Sequence, residues 1–197
     1  MITGGTWISD MGVESYVSVS IANSVFSILN KFYPGRGFVR LEEPLVSFYE
    51  YNRGLNKPGR IPDALRNYGR ADIALWNNDK LVGTIEVKRK WSLSEFEKDY
   101  KRLKELVNRY GKIRSGDLQY AAFASFFFKS QVQCDNCDDC KKCLEECCNS
   151  IESCVCRVSG QKLKMTFSGN HCKWTGEDMD SGKKVISWGS AVVIEVS

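Results

Sequence analysis

What this chain lacks narrows its identity first. It has no hydrophobic run near the ~20 residues that span a bilayer; YAAFASFFF at 120–128 is far too short. Its opening residues, MITGGTWISDMG, carry neither a basic stretch nor a hydrophobic one. No secretory signal is read there, so a cytoplasmic location without a membrane partner follows by default. Internal repeats and low-complexity linkers are also missing. A chain of 197 residues with this profile is expected to form one domain, 1–197.

What is present is ordinary in bulk and uneven in detail. Hydrophobic content of 43% and charged content of 26% suit a globular chain. The net charge of +4 hides a division: residues 88–114 hold ten Lys/Arg against four Asp/Glu, whereas 134–156 hold six acids and two lysines. The basic stretch suits either a polyanion such as nucleic acid or a solvated helix surface.

Eight of the nine cysteines lie between 134 and 156, and the ninth is Cys172. Crowded Cys-x-x-Cys steps in a reducing compartment favour metal ligation over a disulfide framework. Cys134, Cys137, Cys140, Cys143, Cys147, Cys148, Cys154 and Cys156 could fill two tetrahedral Zn²⁺ sites. Residues 137, 140, 143 and 147 also match an iron–sulfur spacing, though no proline follows. Disulfides or disorder are the further alternatives, and His171-Cys172 could add ligands. The segment reads as a cysteine-rich insertion over 130–160 with too small a core to fold alone.

Helical spacing of Val13, Val17, Ile21, Val25, Ile28 and Phe32 predicts a helix over 11–32, stopped by Pro34-Gly35. FVRLEEPLVSFYEY (38–51) reads as strand interrupted at Pro44, and 52–68 as a Pro/Gly loop. A helix over 92–110 follows from a Ser92/Glu95 capping box, an apolar face of Phe96, Tyr100, Leu103 and Val107, and a stop at Gly111. DLQYAAFASFFFK (117–129) is too continuously apolar for anything but a central strand. QKLKMTFSG and VISWGSAVVIEV complete an α/β chain with a mixed sheet.

Between the loop and the second helix lies GRADIALWNNDKLVGTIEVKRKW (69–91), an apolar hairpin carrying acids where a buried strand should carry none. Glu86 and Lys88 share a face by strand alternation. A two-residue turn at Asn78-Asp79 pairs residue 72 with 85 and puts Asp72 on the opposite face. Bringing Asp72 beside Glu86 therefore requires a three-residue loop or a β-bulge. Two carboxylates on one face, helped by the Val87 backbone carbonyl, would make an oxygen-rich site for Mg²⁺ or Mn²⁺. A lysine beside it could orient water or stabilise charge on a phosphate. A surface hairpin with a salt bridge is the plainer alternative.

An acid on one strand, Glu-x-Lys on the next, a helix on either side and a central strand after resemble the PD-(D/E)xK nuclease superfamily over roughly residues 11–129. The resemblance implies a restriction-endonuclease-like αβββαβ core with a mixed central sheet flanked by helices. It implies that Asp72 and Glu86 hold the divalent metal, with Glu14 on the first helix as a further ligand, and that Lys88 is the catalytic lysine. The literal Pro62-Asp63 dipeptide also fits the spacing, but Asp72 lies on the hairpin strand. Arg70, Arg89, Lys90, Lys98, Lys101 and Arg102 then become candidate phosphate contacts. The expectation is a nuclease acting on DNA, with a homodimer compatible with double-strand cutting. The rival expectation is an idle nuclease-like module that binds nucleic acid or protein.

Overall fold

The structure, a computed structural model, describes residues 13–45, 47–48, 69–114, 116–132, 137–168, 172–177 and 184–196. In chain order they form α1 (Val13–Phe32), β1 (Gly37–Pro44), β2 (Arg70–Asn77), β3 (Lys80–Lys88) and α2 (Leu93–Tyr110). After a 3-10 turn at Lys112–Arg114 come β4 (Tyr120–Val132), α3 (Cys137–Ser159), β5 (Met165–Phe167), β6 (Cys172–Glu177) and β7 (Lys184–Glu195). No helix among the described residues is long and apolar enough to cross a membrane.

The strands form one mixed sheet in the order β1-β2-β3-β4-β7-β5, with β6 also paired to β7. β1, β2 and β3 make an antiparallel meander. The chain then crosses over through α2, and β4 runs parallel to β3, as a helical crossover allows. β4 sits between β3 and β7, so its continuous apolarity matches a central position.

The helices lie on both faces. α1 packs Val17, Ile21, Ala22, Val25 and Leu29 against Ile73, Leu75, Ile85, Val87, Ala122 and Ala124. Its stripe is rotated from the one expected: Ile28 and Phe32 point outward, 54% and 74% exposed, beside Tyr16 and Phe26. On the other face α2 and α3 share a core in which Phe96, Tyr100 and Leu103 meet Phe123, Phe127, Leu144, Ile151 and Val155.

The stop after α1 agrees with the sequence expectation, and the two ends of α2 differ from it in mechanism. Gly35 ends α1 at φ +68, with its amide donating to Asn30 Oδ1 at 3.2 Å. Ser92 occupies the N-cap of α2 but makes no side-chain cap, its hydroxyl lying 3.0 Å from Ser94 Oγ instead. Gly111 is extended (φ −78, ψ 169), not left-handed. Glycine fits there because a Cβ would collide with the Val107 carbonyl.

The cysteine segment contains α3, whose Leu144, Ile151 and Val155 are buried in the main core. Steps of three and four residues, read as metal-ligand spacing, are also the steps of a helix face. Cys147 and Cys148 pack against that core as small apolar side chains.

Candidate active site

The β2–β3 hairpin turns through two residues, Asn77 pairing with Lys80 and Asn78 taking φ 55. On its own this turn would separate the acids. A bulge shifts the register between Leu75 and Trp76: Trp76 pairs with Leu81, but Leu75 pairs with Gly83, leaving Val82 extra. Gly83 lets Leu75 pack across the hairpin, since a Cβ there would meet the leucine methyl at 2.8 Å and push it aside. Beyond the bulge Ile73 pairs with Ile85, and the same register carries Asp72 opposite Glu86. The bulge is one of the two devices the sequence required.

Paired residues end at Ile73–Ile85. One step on, the Val87 amide donates to Asp72 Oδ2 at 2.6 Å, so the side chain replaces a backbone acceptor. The carbonyl of a strand residue projects to the same side as its amide, which directs the Val87 carbonyl toward β2.

Glu86 and Lys88 face α2, and α2 answers with Asp99 and Arg102. The Arg102 guanidinium lies against Glu86 Oε2 and reaches Asp99 Oδ1 at 3.0 Å. Lys88 Nζ lies 3.4 Å from Asp99 Oδ2 and 4.0 Å from Asp72 Oδ2. Glu86 is fully buried; Oε2 is held by the Arg102 guanidinium, and Oε1 has no hydrogen-bond partner among the described residues. Burial first, then the Asp72 and Asp99 carboxylates, push its pKa from 4.5 up to about 8, against the pull of Arg102 and Lys88.

Asp99 and the inward role of Arg102 were not foreseen. The signal was present: Asp99 sits three residues after Phe96 and four before Leu103, an acid on the apolar face of its own helix. Arg102, grouped from sequence with the phosphate contacts, is turned into the site instead.

The remaining expectations are placed as follows. Glu14 belongs to the first turn of α1, and its side chain is outside the described residues, as are Asp63 and Cys134. Leu29, near the far end of α1, packs on Gly37 beside the hairpin turn, so the helix starts at the Asp72 end of the sheet. Arg70, Arg89, Lys90, Lys98 and Lys101 are exposed around the same end. Cys137, Cys140 and Cys143 lie in the early turns of α3, with side chains outside the described residues. Cys147, Cys148, Cys154 and Cys156 are free thiols. Among the described residues no group of three potential metal ligands converges.

The Asp72–Glu86 arrangement nevertheless suits a hard divalent cation. Its donors are carboxylate oxygens and a directed carbonyl, and the buried Glu86 Oε1 lacks a hydrogen bond. Arg102 now neutralises Glu86, so a metal ion there requires the guanidinium to move aside. No protein-family model, curated protein or solved structure matches the chain.

Proposed function

We propose that this chain is a divalent-metal-dependent nuclease that hydrolyses phosphodiester bonds of DNA. The observation that carries the reading is Glu86, a fully buried glutamate held only by the Arg102 guanidinium on Oε2, brought opposite Asp72 by a bulge and flanked by Lys88. The order α1-β1-β2-β3-α2-β4, with β4 parallel to β3, supports the PD-(D/E)xK resemblance.

Asp72 and Glu86 would hold Mg²⁺ or Mn²⁺, with the Val87 carbonyl and Glu14 as further ligands. The ion would polarise the phosphodiester and acidify the attacking water. Asp72 is fixed for its part by the Val87 amide. Lys88, its side chain 20% exposed between Asp72 and Asp99, can donate to a phosphate oxygen as negative charge grows. Arg70, Arg89, Lys90, Lys98 and Lys101 would carry the strand across this end of the sheet. A homodimer belongs to the same proposal, since cutting both strands takes two sites.

Arg102 favours a second reading: an idle nuclease-like module in which an arginine permanently fills the cation position. Cleavage of mixed DNA substrates with Mg²⁺ or Mn²⁺ decides between them. The nuclease reading expects metal-dependent cutting, lost in Asp72→Ala and Glu86→Ala and reduced ~10²–10³-fold in Lys88→Ala. Metal-independent binding without cutting would establish the idle module.

Zinc is a separate proposal for the cysteine segment, with Cys134, Cys137, Cys140 and Cys143 as one candidate set. Cys147 and Cys156 are separated by about 13 Å along one helix, too far for Cys147, Cys148, Cys154 and Cys156 to share one tetrahedral ion. Metal analysis of the purified chain tests it.

A further inference from the structure

A pocket of about 210 Å³ lies just beyond the carboxylates, lined by Lys90, Trp91, Phe127, Cys147, Ser150 and Ile151. We propose that it receives the base of an unpaired nucleotide, so that the strand acted on is single-stranded at that position. The inference rests on the nuclease reading and adds its substrate class.

Position is the first argument. Lys88 pairs with Ser125, and Phe127 is the next residue of β4 on the same face, about 6.6 Å farther along. The Trp91 amide donates to the Phe126 carbonyl at 2.6 Å, which anchors the pocket's other wall to the same stretch of β4. A phosphate beside Lys88 would thus place a neighbouring base at the pocket mouth, within the reach of one extended nucleotide.

Wall chemistry is the second. Trp91 is braced by Phe96 at 5.4 Å and stands edge-on to Phe123 at 6.0 Å. Phe127 is braced by Phe167 at 6.1 Å. Trp91, half-buried, is then the stacking face, and Phe127, buried in the core, forms the pocket floor. Ser150 is exposed on α3, where its hydroxyl can meet a base edge. A base inside a duplex is stacked on both sides and paired at its edge, so it enters only when unpaired or flipped out.

Charge is the third. Arg89 and Lys90 are exposed on the β3 side of the mouth, and Glu145 and Glu146 are exposed on α3. A phosphate backbone is drawn to the first flank and repelled from the second.

The test is fluorescence anisotropy of the full chain in metal-free buffer. Its probes are short labelled DNA and RNA single strands, the matching DNA duplex, and single strands with one abasic position moved stepwise. Single strands should bind more tightly than duplex, and one abasic position should weaken binding roughly tenfold. Ser150→Phe, which plugs the mouth from an exposed helix position, should cost a similar factor and erase the abasic effect. Trp91→Leu should act likewise, and if it does not fold, Ser150→Phe decides. Equal binding of duplex and single strand, no abasic position with an effect, or unchanged binding by Ser150→Phe each overturns the pocket. The stronger-binding single strand identifies the sugar. Base-dependent binding without metal-dependent cleavage would remove the nuclease reading and leave the pocket standing. Cleavage of strands to which the chain shows no abasic effect would remove the pocket alone.

Discussion

Glu86 concentrates the chemistry of this chain. Buried acids are costly unless paired or coordinated, and Glu86 has Arg102 on one oxygen and no hydrogen bond on the other. Its pKa is raised from 4.5 to about 8 mainly by burial. A carboxyl that binds its proton more tightly when folded favours the folded state at low pH. That contribution is complete below about 4.5 and is lost as pH rises to about 8. Because the amide stays neutral where the carboxylate must ionise, and Asp99 keeps Arg102 paired, Glu86→Gln should raise the metal-free Tm at pH 8, by on the order of 1–3 kcal/mol of stability. At about 2–4 °C per kcal/mol for this chain length, the gain should shrink toward pH 5. Differential scanning across that range checks it, and a gain independent of pH would contradict it. Asp72, Glu86 and Lys88 were legible as residues because acids interrupt apolar strands. Asp99 and Arg102 were hidden because a helix with charges on most of its surface masks one acid that turns inward.

The bulge decides which face those residues occupy. Val82 is one residue more than a regular hairpin needs, and it switches the parity of β3 between Leu81 and Gly83. Deleting Val82 should leave a regular hairpin that still sets Asp72 opposite Glu86. Metal-dependent cleavage should stay within about tenfold of native, while Tm falls with the loss of a buried valine worth roughly 1–3 kcal/mol. Inserting an alanine beside Val82 should abolish cleavage by slipping the register again. Nuclease assays beside thermal melts separate these outcomes. That a bulge or longer loop was needed could be derived from alternation alone; which device the chain uses depends on backbone strain and packing at Asn78 and Gly83. α3 shows the opposite case. Its periodicity was visible, but cysteine at helical steps reads equally as ligand spacing, and that Leu144, Ile151 and Val155 join the main core shows only in three dimensions.

Across the whole molecule, Phe96 of α2 and Phe123 of β4 share one core with Leu144 of α3 and Val192 and Ile194 of β7. Thermal unfolding should therefore be a single transition, with near- and far-ultraviolet circular dichroism coincident; two separated transitions would show independent units. The order of strands was partly readable, since β4 announces its central place by continuous apolarity. The pairing of β7 with β4, β5 and β6 was not, because such long-range partners leave no local signature. All five charged groups of the site, however, fall within residues 72–102. As the chain leaves the ribosome, hairpin and α2 can meet before β7 has been synthesised. The carboxylates would then be in reach of one another while still bathed in water, until β4 pairs with β3 beside Glu86. Early in the life of each molecule, Glu86 would be an ordinary, readily ionised acid, open to whatever cation the cell supplies.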